Sequence, residues 1–158
     1  AVDTAANESD ASSEVSVTPN TITTITIQEN ELGFVGVFTG VAAETTNAGY
    51  TGSGYANTDN AAGNYVEWTI DAAETGTYDL QWRFANGTTS DRTATVNVNG
   101  AAQVNNISFP GTGAWTSWQV SSVITVTLQE GANTIQLIAE TSNGLANIDW
   151  IQITGAFP

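Results

Sequence analysis

The chain has 158 residues, enough for one well-buried core and, by default, one domain with a tail. Arg83 and Arg92 are its only side-chain cations against sixteen Asp and Glu, for a formal net charge of -14, and it has no Lys, His, Cys or Met. This balance argues against nucleic acid or an anionic membrane as partner, since phosphate surfaces are held by cations. It also removes thiol chemistry and the usual nucleophilic triads. Catalysis would fall to a carboxylate pair, and no spacing marks one out, so the chain is not expected to be an enzyme.

Residues 1–21 are Ala, Ser, Thr, Asn and acids, and too little apolar surface is present to offset the entropy of ordering them. They read as an acidic linker to a neighbouring domain. From residue 22 to 158, Thr/Val/Ile/aromatic runs alternate with Gly, Asn and Asp clusters about every ten residues, as in a sandwich or barrel. Every second residue is large and apolar in Val66-Glu67-Trp68-Thr69-Ile70 and again from Tyr78 to Phe84. Each of these strands therefore has one core face, which takes Trp68 and Trp82. Further strands are expected over 94–98, 118–127, 134–139 and 148–153. Asn99-Gly100 supplies the two residues of positive φ that a type I′ hairpin needs, and Gly131-Ala132-Asn133 marks another reversal. The expected architecture is all-β, a jelly-roll β-sandwich of two antiparallel sheets.

Three groups of residues carry candidate chemistry. Arg83 and Arg92 bracket the polar loop 84–91. Arg83, on the outer face of its strand, reads mainly as the partner of an acid. Arg92, at the loop exit, fits such a pairing or a bidentate grip on a ligand carboxylate equally well. Trp115 follows the flexible Pro110-Gly111-Thr112-Gly113-Ala114, and an indole presented there can stack on the C–H face of a pyranose. Tyr55, in the Gly-rich run 49–55, has the same loop setting. Finally, Glu29 and Glu31 share strand parity with Ile25 and Ile27, and Asp149 shares it with Ile151 and Ile153, so the three carboxylates point toward the core side at strand ends. With only two cations to pair them, a hard divalent ion such as calcium resolves the cost of burying them. Solvation beyond the strand ends is the other possibility.

The order and spacing of several segments resemble the family 35 carbohydrate-binding modules, and the related family 6, over roughly residues 24–155. These segments are Gly49-Tyr50-Thr51-Gly52-Ser53-Gly54-Tyr55, Asn64-Tyr65-Val66-Glu67-Trp68, Gly76-Thr77-Tyr78-Asp79-Leu80, Arg83-Phe84-Ala85-Asn86-Gly87 with Arg92, Trp115-Thr116-Ser117-Trp118 and Gly144-Leu145-Ala146-Asn147-Ile148-Asp149-Trp150. The resemblance implies a non-catalytic, secreted and monomeric module tethered to a catalytic domain, such as a pectate lyase, that degrades plant cell walls. Its ligand would be a uronic acid, either glucuronic acid or the unsaturated galacturonic acid at pectin chain ends. A module for a neutral polysaccharide such as mannan, xylan or agarose is an alternative, as is a calcium-stabilised adhesion domain. Carried onto this chain, the family pattern places Tyr55, Asn86, Arg92, Trp115 and Asn147 around the sugar, with Arg92 facing its carboxylate and Asn147 its hydroxyls. It places a structural calcium at Glu29, Glu31 and Asp149, and a second ion beside the sugar, for which Asp59 and Asn60 are candidates. The family's opening motif is often Glu-Ala-Glu after an apolar residue, whereas here Gln28 precedes Glu29, a shift of register that opens Gln28 and Asn30 as alternative ligands.

Overall fold

Period-two burial is what the chain folds on. In strand β3 (Tyr65–Ala72) and strand β4 (Gly76–Ala85), alternate residues are buried from Val66 to Ala72 and from Tyr78 to Phe84. Trp68 and Trp82 are 1% and 0% exposed, with ring centroids 6.5 Å apart across the core. Burying an aromatic or aliphatic side chain this fully contributes about 1.5–3 kcal/mol. The computed structural model describes residues 20–29, 31–37 and 43–158. Nearly all of the expected linker, and Asn30, lie outside the described residues.

The other strands are β1 (Ile22–Gln28), β2 (Phe34–Val37), β5 (Ala94–Val98), β6 (Ala101–Ile107), β7 (Gln119–Val120), β8 (Ile124–Leu128), β9 (Gly131–Ala139) and β10 (Asn147–Ala156). They form two five-stranded sheets, β1-β10-β4-β7 with β8 also on β4, and β2-β3-β9-β5-β6. Every pairing between named strands is antiparallel. The fold is the jelly-roll β-sandwich, with Trp68, Trp82, Phe84, Phe109, Leu137 and Ile151 among the residues packed between the sheets. At the β5–β6 hairpin Asn99 and Gly100 have φ of 52° and 81°, the type I′ geometry that the dipeptide favours.

The single strand expected over 118–127 is two. β8 pairs with the first half of β4 and β7 with its end. Ser121 sits between them, its N–H donating to the Trp82 carbonyl (2.8 Å) while its hydroxyl accepts from the Trp82 N–H (3.0 Å). A side chain that takes a ladder bond in place of the backbone interrupts the strand, and alternation of apolar residues does not record that.

A bulge at the start of β10 shapes the functional end of the sandwich. Ile148 pairs with Phe84 and Trp150 with Arg83, which leaves Asp149 as the extra residue. Asn147, Ile148 and Asp149 are consecutively buried as a result.

Candidate functional site

The loops at this end of the sandwich enclose a cleft of about 220 Å³ lined by Asn47, Asn57, Asn60, Arg92, Trp115 and Asn147. Trp115 comes from the strap between β6 and β7. Its indole is half-buried and lies so close to Gly87 that any Cβ there would overlap the ring. The strap is tied down by the Thr112 N–H, which donates to the Asn86 carbonyl (2.8 Å), and by the Thr112 hydroxyl, which accepts from the Asn86 N–H (3.1 Å).

Arg92 is 6% exposed, and its guanidinium carbon lies over the Trp115 ring, 5.0 Å from the centroid. Nη1 donates to the Asn60 Oδ1 (3.0 Å), to the Leu145 carbonyl (2.8 Å) and to the Asn143 carbonyl. Nε is buried without a partner among the described residues. Among the described residues the one ion pair is Arg83 with Asp149, so no carboxylate among them pairs with Arg92. Burial accordingly pulls the Arg92 pKa below its ordinary value. Asn147 is 3% exposed, and its side-chain amide makes no hydrogen bond among the described residues, so both of its polar atoms are available to the cleft.

Two expected sugar ligands lie elsewhere. Tyr55 is 0% exposed and offers no face for stacking, because Glu44 and Ala56 pin its backbone to the sandwich and its ring packs between Tyr50 and Trp118. Its hydroxyl nevertheless supports the cleft wall, accepting from the Asn47 Nδ2 (2.9 Å) and donating to the Glu44 Oε2 (3.1 Å). Burial raises the Tyr55 pKa; the bonds from Asn47 oppose this and Glu44 adds to it, so the phenol stays protonated. Asn86, also 0% exposed, is saturated internally. Its Nδ2 donates to the carbonyls of Phe109 (2.8 Å) and Ser90 (2.9 Å), and its Oδ1 accepts from the Thr88 N–H and hydroxyl. Asn86 shapes the loop that carries Gly87 and does not face the cleft. Glu44, Asn47 and Asn57 are not marked out in the sequence, because polar loop residues carry no periodic signal; Asn60, a candidate ligand of the second ion, accepts from Arg92 through its oxygen.

Of the three expected metal ligands, the structure brings two together. Glu29 (4% exposed) and Asp149 (1%) line one narrow gap beneath the 51–53 loop. The Glu29 Oε1 accepts from the Ser53 N–H (2.9 Å) and hydroxyl (3.0 Å), while its Oε2 is buried with no partner among the described residues. The Asp149 carboxylate accepts from the Thr51 N–H and hydroxyl (2.9 Å) and from Arg83. Glu31 is exposed, and its Oε2 accepts from the Gln28 N–H in the turn after β1 (3.1 Å), away from that gap. The Gln28 Oε1 lies 3.3 Å from the oxygen of the Thr51 hydroxyl that donates to Asp149. Two carboxylates and a neutral amide oxygen form a hard donor set that suits calcium, and the orphaned Glu29 oxygen is the atom such an ion would satisfy. Among the described residues no group of three acids or other strong ligands forms a complete cage.

An aromatic and a set of amides around a loop-end cleft on a β-sandwich define a sugar-binding class of domain. The family model for carbohydrate binding module (family 6) matches residues 37–155, and the chain belongs to that family. It is 43% identical over 130 residues to endo-1,4-beta-xylanase B of Cellvibrio japonicus, and 45% identical over 112 residues to an exo-beta-D-glucosaminidase of Amycolatopsis orientalis. The matches cover 82% and 71% of this chain but only 21% and 11% of those proteins, so it corresponds to one module of much longer enzymes. Among solved structures it is similar to the family 35 module of Cellvibrio japonicus Abf62, with TM-score 0.78 and 40% identity over 86% of this chain and 99% of that one. It is also similar to a structure described as Xyl-CBM35 in complex with a glucuronic acid containing disaccharide, with TM-score 0.76 and 41% identity over 85% and 98% of the two chains. The chain is a carbohydrate-binding module; the relatives named are a xylanase and a glucosaminidase, and no pectate lyase is among them.

Proposed function

We propose that the cleft binds a terminal uronic acid, such as glucuronic acid or the unsaturated galacturonic acid of cleaved pectin. The module would hold a covalently attached, secreted plant-wall-degrading enzyme near its substrate. The observation that carries this reading is the charge of Arg92, buried beside the cleft with no ion-pair partner among the described residues. A buried cation without a counter-charge is costly, and a ligand carboxylate would supply one. Trp115 provides the apolar face of the sugar site, and Asn147 with its neighbours provides hydroxyl contacts. The glucuronic acid complex of the similar family 35 module supports the same ligand class. Tethering raises effective concentration without adding catalytic contacts, which suits a weak one-sugar site.

Glu29 and Asp149, with Gln28 beside them, would hold a structural calcium that fixes the 51–53 loop. A second ion beside the sugar, with Asp59 a candidate, belongs to the same proposal. Calorimetric titration with glucuronic acid and with glucose, with and without a chelator, tests the reading. Glucuronic acid should bind at least about tenfold more tightly than glucose, since a charge-assisted contact contributes about 1.5 kcal/mol or more. Trp115→Ala should abolish binding of both. Equal affinity for the two sugars would point instead to a neutral polysaccharide, with the four asparagines as its readers.

A further inference from the structure

Behind the cleft wall a single carboxylate organises two of the lining side chains. Glu44 is joined to Tyr55 by a two-way backbone bridge (2.8 and 3.0 Å) that holds it beside the wall. Its Oε1 accepts from the Asn57 Nδ2 (3.0 Å) and its Oε2 from the Tyr55 hydroxyl (3.1 Å), which in turn accepts from the Asn47 Nδ2 (2.9 Å). The chemistry leaves no freedom in these orientations. A carboxylate only accepts, so Asn57 must turn its nitrogen toward Glu44. The Tyr55 proton is committed to Glu44, so Asn47 must turn its nitrogen toward Tyr55. What Asn47 and Asn57 keep for a ligand is a carbonyl oxygen each, beside the second N–H of the amide nitrogen turned to the wall. Asn60, which also lines the cleft, is fixed the opposite way, its oxygen accepting from Arg92 and its nitrogen left over.

We infer that Glu44 is a specificity-determining positioning residue, which makes the Asn47–Asn57 wall a pair of acceptors and so orients the ligand. Hydroxyl donors of the sugar face Asn47 and Asn57, while its carboxylate or other acceptors face Asn60 and Arg92. This rests on reading the cleft as the sugar site. A carboxylate turned toward the Asn47–Asn57 wall would meet two carbonyl oxygens, so that orientation of the ring is disfavoured by repulsion while the opposite one is favoured by attraction.

Glu44→Gln isolates this role because it keeps size and hydrogen-bonding capacity. A Gln amide can satisfy only one neighbour as acceptor. Its nitrogen then faces either Asn57, which must turn round, or the Tyr55 hydroxyl, which can no longer serve Asn47 as before. Either way one acceptor in the cleft becomes a donor. Affinity for glucuronic acid should fall about tenfold, the effect of leaving a buried hydrogen-bonding group mismatched. In a ¹⁵N–¹H spectrum the side-chain amide signal of Asn57 or Asn47 should move. The double variant Glu44→Gln with Asn57→Asp exchanges amide and acid. The introduced amide donates to the introduced carboxylate, whose other oxygen again offers the cleft an acceptor, so affinity should return to within about threefold of the original.

A general loosening of the fold would not be rescued this way, and the melting temperature of each variant controls for it. The inference is overturned if Glu44→Gln leaves both amide signals and the affinity in place, or if the double variant binds as weakly as the single one. If the unaltered module binds neither glucuronic acid nor glucose, the sugar-site reading falls and the specificity role with it, while the amide signals still decide whether Glu44 sets the two asparagines.

Discussion

Gly87 has no side chain because the Trp115 indole occupies the space one would need. The chain meets this requirement by following Asn86, whose amide is saturated on both sides, with the smallest residue, so the loop backbone becomes the bed on which the indole rests. Arg92 completes the support from the ring face. Gly87→Ala therefore acts on function more than on stability. The methyl group must displace the indole, which is half-exposed and can move outward, so stability should drop by no more than about 1–2 kcal/mol. Sugar affinity should fall about tenfold or more, because a stacking face moved by an ångström no longer meets a ring held by the asparagines. Titration together with the Trp fluorescence maximum checks this: a shifted maximum with unchanged affinity would remove Trp115 from the binding face.

At the scale of elements, Glu140 knits three strands at the end of β9. Its N–H donates to the Thr93 carbonyl (3.1 Å), and its Oε1 accepts from the Thr95 hydroxyl on β5 (2.7 Å) and the Asn106 N–H on β6 (2.8 Å). Burial alone would raise the Glu140 pKa, but the bonds from Asn106, Thr95 and Thr93 outweigh it and hold the carboxyl below its ordinary 4.5. A carboxyl with a depressed folded-state pKa stabilises the protein above the unfolded value, and that contribution is lost as pH falls through the folded value. Thermal melts of the native chain should thus lose stability below about pH 4.5, and Glu140→Gln should flatten that part of the profile at a cost of about 1 kcal/mol at neutral pH. An unchanged acid limb would show that other carboxylates carry it. These strands also show what sequence could reveal. The core parity of Trp68 and Trp82 was legible because a half-buried strand writes its two faces into alternate residues. Strand β6 was not, since its seven residues are mostly exposed and only Ile107 is buried. In the cleft, Arg92 and Trp115 stood out as rare residue types in loop settings. Glu44 and Asn57 did not, because a hydrogen bond across thirteen residues of loop depends on a fold that must be known first.

For the whole molecule, charge is the term that packing does not settle. Sixteen acids against two arginines leave -14, and neither arginine spreads its charge over the surface. Arg83 is spent on Asp149, and Arg92 is buried at the cleft. Such a chain repels itself, so added salt of any kind should stabilise it by screening. Calcium bound between Glu29 and Asp149 would do something different, because it would give the partnerless Glu29 Oε2 a ligand bond and lock the 51–53 loop against β1 and β10. The two effects separate at matched ionic strength. Calcium at about a hundred times its Kd should raise the stability of the native chain by about 2.7 kcal/mol over sodium alone, and magnesium, which resists irregular donor sets, by much less. Glu29→Gln should abolish the calcium increment while leaving the response to sodium intact, and it should not weaken the calcium-free protein, since it exchanges a buried uncompensated charge for a neutral amide. Calorimetric melting of both proteins in the two salts measures all of these terms, and an equal calcium increment in the Gln variant would mean that the ion acts as a screening cation or binds elsewhere.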